Sequence, residues 1–288
     1  MTMGLDSRPI IEVSDLTVGY DHHVVLQDVA FEVRAGEVFC ILGGSGCGKS
    51  TLLKHMIGLR SPMAGRILID GTDIVTAEGD KRRALLGQIG VAYQNGALFG
   101  SMSLSENICL VLEEFTRLPR AAMETVARMK MKAVGLEGAG HLMPSELSGG
   151  MRKRAAIARA LTLDPKIVFL DEPSAGLDPI TAAQLDELIL DLSRTLKITF
   201  VIVTHELPSI FAVADRVIVL DKERQTIIAH GRPKDLRDHS DDPWVRQFFS
   251  RRTSPAARSP MRWMPPVTRT GPTPTASTRW TPSRPGSR

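Results

Sequence analysis

EVFCILGGSGCGKSTLLKHMIGL, residues 37–59, sets three kinds of sequence end to end with no spacer. Residues 37–42 are a short apolar run that reads as a buried strand. Gly43-Gly44-Ser45-Gly46-Cys47-Gly48-Lys49-Ser50 follows and fits G-x-x-x-x-G-K-[ST], the Walker A pattern. Residues 50–59 then read as a helix. A triphosphate needs many donors at close range. Glycines let successive backbone N–H groups turn inward around the β-phosphate, and the following helix offers its positive end. Lys49 would reach the β- and γ-phosphates, and the Ser50 hydroxyl would bind Mg²⁺, with Thr51 beside it in the same nucleotide-binding set. Cys47 reads as a small loop residue, because nothing near it in sequence suggests redox chemistry.

A second stretch, residues 166–172, KIVFLDE, supplies what the first lacks. Its four apolar residues make a buried strand, and Asp171 and Glu172 emerge at the C-terminal end, the edge where open α/β sheets bind ligands. Asp171 is expected to hold Mg²⁺, directly or through water. Glu172 is then placed to orient and polarise an attacking water. Gln94, at the end of a strand read over 89–94, is a third candidate, for Mg²⁺ or its water. His205 follows a strand read over 198–204 at the same sheet edge, and Tyr20 lies in a turn read over 20–23. By itself each of these three reads as ordinary polar or packed surface.

Between these anchors strands and helices alternate. Strands are expected over 10–18, 24–33, 66–70, 89–94, 167–170 and 198–204. Helical patterns run over 104–134, with a break at Leu118-Pro119, and over 180–195. This order implies a largely parallel sheet with helices on its faces, an α/β fold. The helical block over 98–160 interrupts the alternation and reads as an inserted subdomain.

Within that block PSELSGGMRKRAAIARAL, residues 144–161, opens a helix in an unusual way. Ser148 is a good N-cap, but Gly149 and Gly150 weaken a helix start, and Arg152, Lys153 and Arg154 set cations at the positive end of the helix dipole. Several local rules broken together mark a functional site.

Composition bounds the rest. The chain is 43% hydrophobic and 24% charged, ordinary for a globular protein. Its three cysteines, Cys40, Cys47 and Cys109, argue against a disulfide framework and for a reducing compartment. The N-terminal MTMGLDSRPIIEV has no apolar h-region, so no signal peptide is read, and no apolar run is long enough to span a bilayer. Residues 251–288 hold eight Arg and no acidic residue, so the net +4 of the chain leaves a body of −4 and no nucleic-acid partner is expected. That tail also has eight of the 18 prolines and neither Leu nor Ile, a composition read as disordered, with contact to anionic lipid headgroups the sharper alternative.

Taken together, these residues resemble the ATP-binding cassette (ABC) ATPases over 8–250. The order matches throughout: Tyr20, the loop 43–50, Gln94, LSGG at 147–150, Asp171-Glu172, Asp178 in SAGLDP, and His205. The resemblance implies a P-loop NTPase (RecA-like) core over 8–97 and 161–250, with an antiparallel β subdomain and the helical subdomain 98–160 inserted. It implies ATP and Mg²⁺ as cofactors and a head-to-tail dimer with a second copy. In that dimer Ser148, Gly149 and Gly150 address the ATP held by the other copy. Tyr20 stacks on adenine, Gln94 couples to a membrane partner, Asp178 communicates between the two sites, and His205 contacts the γ-phosphate. VAYQNGALFGSMSLSENI, GLDPITA, DPWVRQFF and the Met at 151, where most ABC proteins have Gln, resemble more narrowly the ATPases of bacterial lipid transporters that work with MCE proteins, the Mla type. That narrower resemblance implies peripheral attachment at the cytoplasmic face of the inner membrane. It also implies a multispan permease, a periplasmic MCE lipid-binding protein and a small STAS-domain protein as partners, with phospholipid as cargo. The tail over 251–288 does not match the extension by which Mla ATPases contact their partner ATPase. An importer ATPase for a small polar solute shares every catalytic motif. A soluble ABC protein is disfavoured by the single cassette and scattered cysteines, and a silent scaffold by intact Lys49, Glu172 and His205.

Overall fold

Four of the strands carry side chains that are buried on both faces, which is why their sequences read as continuous apolar runs rather than alternations. The computed structural model describes residues 9–21 and 23–250; the tail expected over 251–288 lies outside the described residues. β3 (Val38–Gly43), β7 (Ile167–Asp171), β8 (Thr199–Val203) and β9 (Arg216–Asp221) form the middle of a six-stranded sheet. Its order is β10-β9-β3-β8-β7-β6, with β6 at Ile89–Ala92 and β10 at Thr226–Gly231. All neighbours are parallel except the β10–β9 pair. Period two sorts the side chains: Val38, Cys40, Leu42, Val168, Leu170, Phe200 and Ile202 enter one core, and Phe39, Ile41, Ile167, Phe169, Val201 and Val203 the other.

The second core is closed by an antiparallel sheet of order β2-β1-β4-β5 and by α1 (Lys49–Met56). Its strands are β1 (Pro9–Tyr20), β2 (His23–Arg34), β4 (Ala64–Ile69) and the two-residue β5 (Thr72–Asp73). The hairpin is tighter than its sequence suggested. Tyr20 is the last residue of β1 and pairs with His23, so it belongs to a strand and not to the turn.

The first core takes the helices: α3 (Leu104–Phe115), α4 (Arg120–Ala133), α5 (Gly149–Ala160) and α6 (Pro179–Leu196). α3 starts on a reciprocal cap in which Ser103 accepts from the Glu106 amide and Glu106 accepts from that of Ser103, an S-x-x-E signal present in the sequence. The break at Leu118-Pro119 falls between α3 and α4, where Pro119 caps α4. α2 (Gly79–Gly87), α7 (Leu207–Val213), α8 (Pro233–His239), α9 (Pro243–Ser250), β9 and β10 carry no expectation from the sequence reading above. Of these β9 matters most, because it lies next to β3 and flanks the strand that leads into the glycine loop. β6 ends at Ala92, two residues earlier than read, because the chain turns at once and the Gly96 amide donates to the Tyr93 carbonyl at 2.7 Å. Among the described residues no helix is long and apolar enough to cross a membrane.

Candidate functional site

Parallel register brings the candidate residues to one sheet edge. Ile41 of β3 is level with Val203 of β8, and Val203 with Asp171 of β7. The glycine loop, Asp171-Glu172 and His205 therefore leave three adjacent strands at the same height. Gly43 sits at φ +151, and a Cβ there would lie 2.4 Å from Cys47 Sγ and 2.5 Å from the Leu220 carbonyl, so only glycine fits where β3 becomes loop. Gly48 caps α1 in a left-handed conformation with no side-chain acceptor. The first amides of α1 are thus left without a side-chain partner, an anion-binding helix end. Lys49 folds back and donates to the Gly43 and Gly44 carbonyls, both at 3.0 Å. Ser45, Gly46 and Ser50 are exposed. Cys47 is buried, and burial raises its thiol pKa, which keeps it protonated and inert.

Glu172 is 9% exposed and adopts φ +47, a left-handed conformation rare for a residue with a Cβ. Its amide donates to the Val203 carbonyl at 2.8 Å, and His205 Nδ1 lies 2.8 Å from its Oε1. With the carboxylate ionised, Nδ1–H is the donor. Glu172 Oε2 and Asp171 Oδ1 are both buried and have no hydrogen-bond partner among the described residues. Two orphaned carboxylate oxygens side by side are costly unless a ligand completes them. Burial first, and then the neighbouring Glu172, raise the Asp171 pKa. An Mg²⁺ ion fits this chemistry: hard oxygen donors from Asp171 and the Ser50 hydroxyl beside a phosphate-binding loop.

At the opening of α5 the basic run is engaged within its own subunit. Ser148 caps the helix, its Oγ accepting from the Met151 amide at 3.2 Å. The three cations hold backbone carbonyls of their own subunit. Arg152 donates to Leu147 (3.1 Å), Arg154 to Val134 at the C-cap of α4 (3.1 Å), and Lys153 to both Gln94 (2.6 Å) and Glu172 (2.9 Å). Burial lowers the Lys153 pKa. Gly150 has a packing reason of its own, since a Cβ there would lie 2.7 Å from Thr181 Cγ2 on α6. Asp178 N-caps α6. Its Oδ1 accepts from the Ile180 and Thr181 amides, both at 3.0 Å, and its Oδ2 from the Thr181 hydroxyl at 2.5 Å. The Thr181 hydrogen bonds hold its carboxyl below the usual range. Tyr20 reaches across to Thr51, hydroxyl to Oγ1 at 3.1 Å, with the Arg60 guanidinium 4.5 Å over its ring. The Gln94 side chain is exposed just past the end of β6. Gly43–Thr51, Asp171, Glu172 and His205 therefore form one site with Tyr20 tied to it, while Ser148–Gly150 head a separate helix. Sequence reasoning missed the carbonyl-holding roles of Lys153 and Arg159. For Lys153 the signal was the run of cations placed against the helix dipole; Arg159, in the last turn of α5, gave none.

The ABC transporter family profile matches residues 26–175. A Mycobacterium leprae protein named probable ribonucleotide transport ATP-binding protein mkl is 42% identical over 86% of this chain and 71% of its own length. The intermembrane phospholipid transport system ATP-binding protein MlaF of Escherichia coli is 38% identical over 83% of this chain and 88% of its own. Among solved structures, cbiO1 from Clostridium perfringens, part of the ABC transporter complex cbiONQ, superposes with a TM-score of 0.73 at 31% identity, covering 80% of this chain and 91% of that one. A dimeric ATP-binding cassette in a post-hydrolysis state with ADP and phosphate gives 0.70 at 27% identity, covering 77% and 98%.

Proposed function

Since the chain belongs to the ABC transporter family, whose ATP-binding members hydrolyse ATP, we propose that it is the ATPase subunit of a bacterial transporter that moves phospholipid between the inner and outer membranes. The chain is an ATPase of the P-loop class. The orphaned pair of buried carboxylate oxygens next to the glycine loop carries the catalytic part of this reading.

In the proposed mechanism ATP enters the loop 43–51, and Lys49 exchanges the Gly43 and Gly44 carbonyls for phosphate oxygens. The free amides of α1 share the anionic load. Tyr20 packs on adenine. Ser50 and Asp171, with Gln94, would hold Mg²⁺, which would neutralise charge on the phosphates. Glu172 uses its unpartnered Oε2 to accept a hydrogen bond from the attacking water, while His205 holds Oε1 and so fixes the plane of the carboxylate. His205, more than half exposed, is free to turn toward the γ-phosphate once a nucleotide is present. A second copy covers the nucleotide with its Ser148, Gly149 and Gly150, as the dimeric state of the post-hydrolysis neighbour suggests. Closure and opening pass through Gln94 and the helices over 98–160 to a membrane permease at the cytoplasmic face, with a periplasmic MCE protein and a STAS-domain protein completing the assembly.

Replacing Glu172 with Gln keeps ATP affinity within about threefold and removes at least about 100-fold of kcat, the range of general-base catalysis. Unchanged turnover would remove Glu172 from the mechanism. The cargo has a second reading, a polar solute, favoured by the name of the mkl relative. The similarity to MlaF, which extends over 88% of that protein, favours phospholipid. Purification of the complex from membranes, with mass spectrometry of its proteins and lipids, decides between them. Phospholipid enriched over bulk membrane supports the first reading. ATPase activity stimulated by ribonucleotide and indifferent to phospholipid supports the second.

A further inference from the structure

Lys153 makes two hydrogen bonds whose acceptors lie far apart in the chain. Its Nζ is 2.6 Å from the Gln94 carbonyl and 2.9 Å from the Glu172 carbonyl. A compact ammonium with several N–H donors suits two acceptors arriving from different directions. Half-buried, with its ammonium on two backbone carbonyls, it is not part of a solvated basic face.

The peptide it grips is a strained one. At φ +47, Glu172 holds a left-handed conformation that is strained for a residue with a Cβ and persists only where the surroundings over-determine it. Three contacts do so here: its amide to Val203, its Oε1 to His205, and its carbonyl to Lys153. Of these, only the last comes from the helix that begins with Ser148-Gly149-Gly150. The same helix also holds the loop after β6, since Arg159 donates to the Ala97 carbonyl at 2.7 Å and to that of Gly96 at 3.3 Å. Ala97 is itself left-handed, at φ +48.

We propose that Lys153 is a positioning residue for Glu172, tying the catalytic carboxylate and the Gln94 loop of one subunit to the helix whose N-terminus that subunit presents to the ATP of the other. A displacement of α5 when Ser148–Gly150 meet a phosphate is then felt at two places in its own subunit, the carbonyl of Glu172 and the carbonyl of Gln94. Each active site is thereby informed of whether its subunit has engaged the opposite one. The inference rests on Glu172 being the group that orients water.

Full-length protein carrying Lys153→Met, which keeps the stem and removes the charge, is assayed for kcat, KM for ATP and thermal unfolding. We expect kcat to fall about 10- to 100-fold with KM changed less than threefold. Lys153→Arg, which can still donate to both carbonyls, regains at least a third of kcat. In a Glu172→Gln background the Met substitution changes the residual rate by less than twofold, because the group it acts through is already gone. Wild-type kcat in Lys153→Met, or a loss that multiplies with Glu172→Gln, overturns the proposal. So does a parallel fall in ATP affinity and unfolding temperature that Arg does not rescue. If Lys153→Met does not fold, Lys153→Gln carries the same arms. Failure of the Glu172 reading shows separately, as full turnover in Glu172→Gln alone, and takes this proposal with it.

Discussion

Helices α1 and α5 both start at glycines followed closely by basic residues, yet their cations go to different places. The Lys49 ammonium curls onto the carbonyls of its own loop, a few residues away, and α1 has no side-chain cap. Those bonds are short-range and replaceable by a phosphate. The cations of α5 reach Leu147, Val134, Gln94 and Glu172, and its first turn is capped by Ser148. The Arg152 bond to Leu147 is as local as those of Lys49, but the bonds of Lys153 and Arg154 join separate elements of the fold. One helix start is an anion-binding end built from its own loop. The other is a fastened strut whose exposed end we propose as half of a site. The same local composition, glycines followed by Lys or Arg, therefore supports two different uses, and what distinguishes them is where the nearest unsatisfied carbonyls lie.

The sharpest way to break the contrast is at Lys49. Lys49→Ala removes a charge-assisted contact to phosphate worth roughly 1.5–3 kcal/mol, so ATP affinity falls about 10- to 100-fold while the unfolding temperature hardly moves. Calorimetric titration with ATP checks this. A large loss of stability instead would make Lys49 a strut like the cations of α5. Next in size is Gly150→Ala. The new methyl would meet Thr181 Cγ2 at 2.7 Å, and Thr181 cannot simply rotate away because its hydroxyl is bonded to Asp178. We expect a cost of about 1–3 kcal/mol in denaturant unfolding, as for an overpacked core. Thr181→Ser in the same chain removes Cγ2, keeps the hydroxyl, and should restore most of that stability. ATPase activity that stays low in the rescued double variant assigns Gly150 to the phosphate as well as to packing, whereas full recovery assigns it to packing alone. The smallest effect is expected from Ser148→Ala, which removes the cap of α5 at about 1 kcal/mol and leaves monomeric ATP binding unchanged. Weakened ATP binding in the isolated subunit would mean that Ser148 serves its own P-loop and not a partner's.

Much of the site was legible because its chemistry is local. The loop 43–50 must be glycine-rich to turn its amides inward, and a lysine and a hydroxyl must follow at fixed spacing; such demands leave a pattern in consecutive residues. Asp171-Glu172 was legible for a related reason, as a charged pair directly after a run that had to be buried. The break before α4 and the start of α5 were legible as cap and proline signals. Less was legible where a residue answers to something distant. Tyr20 looked like part of a turn, but pairing with His23 of β2 and the bond to Thr51 keep β1 extended to its last residue. Asp178 stood out as a family motif, while its carboxylate is spent on capping α6.

Consecutive residues alone dictate that a strand, an anion-binding loop and a helix meet near residue 43, and that two carboxylates end a buried strand near residue 171. Those features follow from backbone conformation and burial, which act over a few neighbouring residues. Packing in three dimensions dictates which carbonyls Lys153 and Arg154 hold, why residue 150 has no room for a side chain, and which carboxylate oxygens are left without a partner among the described residues. Each of these depends on groups brought together from distant parts of the chain. In a buried setting an unpaired carbonyl or carboxylate is expensive, so the partner it finds is set by three-dimensional proximity and not by spacing along the sequence.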